Sequence, residues 1–297
     1  MVSEPNIIER GYSGPIASPA AAADWCEAYA KQHTENFTVV SRFLPKRLRG
    51  PMYAIYAYCR FTDDLGDEAT GDRLALLEEW DADLLRAFSG TPRHPINVAL
   101  GQLSQDYPLQ PEPFLRLNEA NKLDQRKRRY ATFADVLDYC KLSANPVGHM
   151  VLAVFGYADA ERLAMSDATC TALQLANHWQ DVARDYAVDR MYLPREDLDR
   201  FGITEEQIAA GRCDANFRAL MRFEVDRAEA LFRQGEPLAA TVSKDLRIDL
   251  DLFTDGGRAI LRAIERQGYD VLSRRPTIGA TRASWMVARA ASRRWIG

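Results

Sequence analysis

The chain has 297 residues, 47% of them hydrophobic and 27% charged, a globular balance that excludes intrinsic disorder and collagen-like repeats. Its formal net charge of -4 argues against a general nucleic-acid binder, which carries a basic excess. Ala occurs 42 times and Leu 30 times, against 26 Val plus Ile; this favours helix over strand, so the expected fold class is all-α.

In chain order, residues 1–20 are rich in Pro, Gly and Ser and read as a loose N-terminal arm; 21–297 read as a single α-helical domain. Helices are predicted over 24–33, over 51–67 with Pro51 at a tolerated first-turn position, and over 71–89. In the last, Leu74, Leu77, Leu84, Leu85 and Phe88 form an apolar stripe. Pro92, Pro95, Pro108, Pro111 and Pro113 punctuate a region of loops and short helices. Thr132 and Asp135 form a capping box before a helix that reaches Leu142. Residues 142–158 lack Asp, Glu, Lys and Arg but contain Asn145, Pro146 and His149. That stretch is too short and polar for a membrane span and reads as a buried helix. Asp167 is the expected N-cap of a long helix over 168–188, followed by an extended Tyr192-Leu193-Pro194. Thr204 to Gln207 is another capping box, before a short helix that Gly211 stops. Further helices are predicted over 216–232 and 256–273, with a basic last one over 282–295.

Five cysteines (Cys26, Cys59, Cys140, Cys170, Cys213) form no CxxC pair, which fits reduced thiols in a cytoplasm. His33, His94, His149 and His178 show no zinc spacing. Glu4, Glu9 and Arg10 interrupt any signal-peptide core. The expectation is a cytoplasmic protein, at most peripheral at the inner membrane face. The run Arg126 to Arg129 reads as a solvated face, and the arginines and tryptophans after 281 as core packing or contact with an anionic lipid surface.

Two segments carry chemistry. On a helix, Tyr56, Arg60, Asp63 and Asp67 fall within about 60° of one another. Gln174, Asn177, Asp181 and Asp185 likewise share one face. Carboxylates one turn apart repel, and partial burial raises the cost. A hard cation removes it: Mg²⁺ takes one or two carboxylates together with phosphates and water. Two such helices facing each other would hold several Mg²⁺ and a diphosphate, and would promote ionisation of a carbon–oxygen bond.

The two segments resemble the squalene/phytoene synthases, the head-to-head branch of the all-α prenyltransferases. YCRFTDDLGDE, residues 58–68, looks like that family's first aspartate-rich motif, and QLANHWQDVARDYAVDRMYLP, residues 174–194, like its second. The resemblance runs from about His33 to Arg275. It implies an isoprenoid-synthase helical fold with a central apolar tunnel, Mg²⁺ dependence and prenyl diphosphate substrates. By this resemblance Asp63, Asp67, Asp181 and Asp185 match the Mg²⁺-binding aspartates, with Asp64 beside them. Arg60, Gln174, Asn177, Arg190 and Tyr192 match residues that hold diphosphates and metals. His33 and Phe37 match the early histidine and the tunnel-side aromatic, and Tyr56 and Tyr139 the tyrosines of the reaction centre. Arg274 matches a late diphosphate-binding arginine, with Arg275 as the alternative.

Two departures narrow the resemblance. This chain has Asn177-His178-Trp179-Gln180-Asp181 where the condensing synthases usually read N-I-L-R-D, so an amide replaces a positive charge. Residues 142–148 replace the usual V-A-G-x-V-G. Both variants are similar to the bacterial hydroxysqualene synthases of hopanoid biosynthesis. The expected activity is therefore conversion of presqualene diphosphate and water to hydroxysqualene and diphosphate, without NADPH. Asn145 and Gln180 are the amides expected to hold the attacking water. The alternatives are head-to-head condensation of two prenyl diphosphates, to presqualene diphosphate, squalene or phytoene, and a non-catalytic assembly factor. The intact aspartates argue against the last. Association with neighbouring pathway enzymes is the expected partner relation.

Overall fold

A computed structural model of the chain describes residues 18–33 and 44–279. Phe37, nearly all of the expected arm and the expected basic last helix lie outside the described residues. The chain divides into two compact units.

The first unit takes the residues up to Arg126 together with Pro146–Asp159. Helix α1 (Pro19–Gln32) begins earlier than expected, because the Ser18 hydroxyl accepts from the Ala21 amide and Pro19 fills the first turn. Helix α2 (Lys46–Asp67) also starts early, which places Pro51 inside the helix and not in its first turn. Leu48, Pro51 and Met52 are all buried, and that burial offsets the backbone bond that Pro cannot make. Helix α3 (Arg73–Ser89) is capped by the Asp72 carboxylate on the Ala75 amide. It buries Leu77 and Leu84, but Leu85 of the expected stripe is 48% exposed. The proline-punctuated region forms two full helices, α4 (Pro95–Asp106) and α5 (Pro111–Asp124). Its prolines mark helix starts, where a missing N–H costs nothing. Helix α7 (Asn145–Val154) completes the unit, apart from its first residue. In the core, Tyr58 stacks on Trp80 with ring centroids 5.3 Å apart, and the Trp80 indole donates to Thr62.

His94 is fully buried among Trp25, Phe61 and Trp80. Its Nδ1 accepts from the Ile96 amide at 3.2 Å, capping α4. Burial pushes its pKa down from 6.5 to about 3. The folded value lies below the unfolded one, so the stabilisation is complete above pH 6.5 and is lost as pH falls toward 3. Asn is also a competent cap but does not titrate. The stability advantage of the wild type over His94→Asn should therefore shrink by about 1.4 kcal/mol per pH unit below 6.5. Paired denaturant titrations at pH 7 and 5 measure it; a pH-independent difference would refute the assignment.

The second unit takes Lys127–Asn145 and the chain from Ala160 onward. Helix α6 (Phe133–Ser143) carries the expected capping box: the Thr132 hydroxyl accepts from the Asp135 amide, and the Asp135 carboxylate from the Thr132 amide. The apolar stretch 142–158 is not one helix, since the backbone breaks at Ala144 between α6 and α7. Helix α8 (Ala160–Ala187) starts well before the expected cap, so Asp167 lies in its interior. A parallel bridge pairs Arg129 with Met191 just before the extended 192–194 segment. Helix α9 (Arg195–Phe201) and the short α10 (Glu205–Ala209) follow; Thr204 caps α10 and Gly211 ends it at φ 63°. Helix α11 (Ala215–Gly235) packs along α8, where the Trp179 indole donates to the Glu224 carbonyl, and it buries Phe217, Leu220 and Met221. After α12 (Leu238–Thr241), helix α13 spans Lys244–Arg266 and not 256–273. Gly256 is no helix start, and at Gly257 beside it a Cβ would sit 2.5 Å from the Phe232 ring and 2.7 Å from Leu173. Gly257 is a glycine because α13 approaches its neighbours closely. Among the described residues no strand is formed, and no helix is long and apolar enough to cross a membrane.

Candidate active site

Helix α2 carries the first aspartate-rich segment, and neighbouring helices complete it. Asp63 is solvent-exposed on this helix. Its Oδ1 accepts from Asn121 of α5 at 3.3 Å. Gly66 permits that approach: a Cβ there would lie 2.4 Å from the Asn121 amide oxygen. Gln125 locks the same junction by donating to the carbonyls of Gly66 and Asn121. Desolvation pushes the Asp63 pKa up to about 7, and the Asp67 charge adds to it, against the Asn121 hydrogen bond.

Asp64 has a different role in the geometry. It accepts from the Tyr29 hydroxyl at 2.5 Å and forms an ion pair with Arg60 Nη2 at 2.5 Å. Arg60, expected on the face of Asp63 and Asp67, pairs instead with Asp64 and Glu68, its i+4 and i+8 neighbours. Desolvation and the bond to Asp64 hold the Tyr29 phenol well above its usual range. The Tyr29 ring lies 4.3 Å from that of His33, and Tyr56 donates to the His33 carbonyl at 3.0 Å. His33, Tyr56, Arg60 and Asp64 thus converge around Tyr29. Sequence reasoning missed Tyr29, Asn121 and Gln125. Tyr29 stands one helical turn before His33, and Asn118, Asn121 and Gln125 recur at i, i+3 and i+7; that periodicity was the available signal.

Helix α8 carries the second segment. Gln174, Asp181 and Asp185 are half-buried and Asn177 is exposed. Asp181 receives a two-point contact from Arg275, Nε at 2.6 Å and Nη2 at 2.8 Å. Of the two late arginines it is therefore Arg275 that reaches the motif; Arg274 lies against Gln267 at 3.4 Å. Gln180 departs from its expected role. Its amide oxygen accepts from Arg275 at 3.0 Å and its amide nitrogen donates to the Pro276 carbonyl at 2.6 Å, so protein takes both ends expected for a water. Asn145 is buried, with Oδ1 accepting from Thr171 at 2.9 Å. Tyr192 stacks on His178 at 3.7 Å, and Tyr130 and Tyr139 pack around it. Burial lowers the His178 pKa to about 3, which keeps the ring neutral. Arg190 is half-buried at the C-terminal side of α8.

Among the described residues no group of three or more His, Cys, Asp and Glu side chains forms a ready cage for a metal. The donors are pairs of carboxylates on single helices. That set fits a hard divalent ion that draws its other ligands from phosphate and water.

A model of squalene/phytoene synthases matches residues 30–282. The chain is 33% identical over 277 residues to the 15-cis-phytoene synthase of Synechococcus elongatus, covering 89% of this chain and 90% of that protein. The solved structure of the squalene synthase HpnC from Alicyclobacillus acidocaldarius shares 49% identity at a TM-score of 0.82, over 84% of this chain and 95% of that one. A dehydrosqualene synthase solved with a ligand shares 26% identity at a TM-score of 0.84, over 92% and 96%.

Proposed function

The chain belongs to the squalene/phytoene synthase family and has its all-α isoprenoid-synthase fold, and from that premise we propose that it converts presqualene diphosphate and water to hydroxysqualene and diphosphate. The observation that carries the C30 part of this reading is the 49% identity to a squalene synthase, against 33% to a phytoene synthase. The water-capture part rests on the likeness of residues 142–148 and 177–181 to hydroxysqualene synthases; Gln180 itself is held by Arg275 and Pro276, so Asn145 is the amide assigned to the water.

In this reading Asp63, Asp67, Asp181 and Asp185, with Asp64 and Asn177 beside them, hold the Mg²⁺. The divalent metal that the family uses with its diphosphate substrates supplies positive charge to the leaving group. Arg60, Gln174, Arg190 and Arg275 bind diphosphate oxygens, a task suited to the fork of a guanidinium. His33 orients Tyr56 through its carbonyl, and Tyr56, Tyr139 and Tyr192 present aromatic walls that favour a carbocation. Asn145 has its oxygen on Thr171, which leaves its amide nitrogen to orient a water. The water oxygen bonds the cationic carbon, and its proton leaves to the departed diphosphate or to solvent. No hydride is consumed. A lipid substrate and product favour peripheral contact with membranes.

The chain is also similar to phytoene synthases over most of its length, and this favours a second reading, head-to-head condensation of two prenyl diphosphates. One assay separates them. With Mg²⁺ and without NADPH, presqualene diphosphate should give a C30 alcohol, while farnesyl diphosphate should be little consumed. Efficient conversion of farnesyl diphosphate to presqualene diphosphate would replace the first reading by the second.

A further inference from the structure

We propose that Gln180 is a positioning residue that seats Arg275 on Asp181, so that the cation serving the second aspartate motif comes from the segment after α13 and not from α8. The inference rests on the reading of Asp181 as a site carboxylate; it does not depend on what captures the cation of the substrate.

Gln180 is 5% exposed, and both ends of its amide are engaged by two consecutive residues of one segment, Arg275 and Pro276. Arg275 uses Nε and Nη2 on Asp181, and the same Nη2 meets the Gln180 oxygen. Position 180 must therefore accept from a guanidinium and donate to a carbonyl, within one buried side chain. An amide does both. Glu would accept but oppose the Pro276 carbonyl and add a second negative charge beside Asp181. Arg or Lys would repel Arg275. Leu would satisfy neither partner, and unmet buried polar groups are costly. Other groups around Asp181 do not replace this contact: Arg184 lies 3.5 Å away on a side chain that is 68% exposed. The consequence extends to substrate, because Arg275 also lines a cavity of about 410 Å³ with Arg266 and Arg274. A guanidinium fixed there meets an incoming anion already oriented.

The test uses the full chain carrying Gln180→Leu, Gln180→Arg, Arg275→Gln, or Gln180→Arg with Arg275→Gln. Hydrogen exchange without substrate is the first readout. Peptides covering 271–279 should exchange at least about tenfold faster in Gln180→Leu and Arg275→Gln, with the rest of α8 unchanged. Kinetics with whichever prenyl diphosphate the wild type consumes are the second. Gln180→Arg should raise KM about tenfold or more with a smaller effect on kcat. The double variant, in which the cation comes from position 180, should return to within about threefold of wild type. Wild-type exchange over 271–279 in Gln180→Leu, or a double variant as impaired as the product of its singles, would overturn the proposal. If Gln180→Arg does not fold, Arg275→Gln decides by exchange alone. The exchange arm needs no substrate, so it stands apart from the product assay.

Discussion

Single replacement of Asp63, Asp67, Asp181 or Asp185 by Ala is expected to lower turnover at saturating Mg²⁺ by roughly 10³-fold or more, equivalent to about 4 kcal/mol of transition-state stabilisation. The helical circular dichroism should be retained, because these side chains lie on helix faces and not among the apolar residues of the core. The apo-protein melts should separate the two motifs. The Asp63 pKa is raised in the folded state to about 7. Its contribution to stability is thus present at low pH and lost as pH rises through that value. Asp63→Ala should melt no lower than wild type at pH 8, and lower relative to wild type at pH 5. Asp181→Ala strands the Arg275 guanidinium and should melt slightly lower at pH 8; the pair is partly exposed, which keeps the effect small. Variants that turn over like wild type would remove the aspartates from the site.

The largest effect on stability is expected from Gly235→Ala. A Cβ at Gly235, the last residue of α11, would stand 2.8 Å from the Met165 carbonyl oxygen and 2.9 Å from the Thr169 backbone nitrogen of α8. It would also overlap the Thr169 hydroxyl. The hydroxyl can rotate away but the backbone of α8 cannot, so the two helices must part. Overpacking of this kind costs about 1–3 kcal/mol net, even though Ala is the better helix former by about 1 kcal/mol. At roughly 2–4 °C per kcal/mol, thermal unfolding should show a fall of several degrees. An unchanged or raised melting temperature would mean that α8 and α11 are not in this contact.

Much of this protein was legible in its sequence because the relevant physics is local. Helical class follows from the excess of Ala and Leu over β-branched residues. The capping box at Thr132 forms as read, since it needs only residues three apart; at Thr204 the N-cap half forms, while the Gln207 side chain donates to the Arg212 carbonyl. The two aspartate motifs are patterns on single helices, and the family follows from them. Tertiary structure decided the rest. The starts of α2, α8 and α13 lie well before Pro51, Asp167 and Gly256, and in α2 and α13 the burial of Leu48, Leu246 and Ile248 carries the helix past those positions. Gly66, Gly235 and Gly257 read as helix-weakening residues, yet each marks a close approach that only a packed neighbour requires. The partners of the motifs were hidden for the same reason. Tyr29 reaches Asp64 across 35 residues, Asn121 reaches Asp63 across 58, and Arg275 reaches Asp181 across 94. Helical periodicity relates residues a few turns apart on one element; which distant side chain neutralises a carboxylate is selected by the packing of whole helices, and no local spacing encodes that.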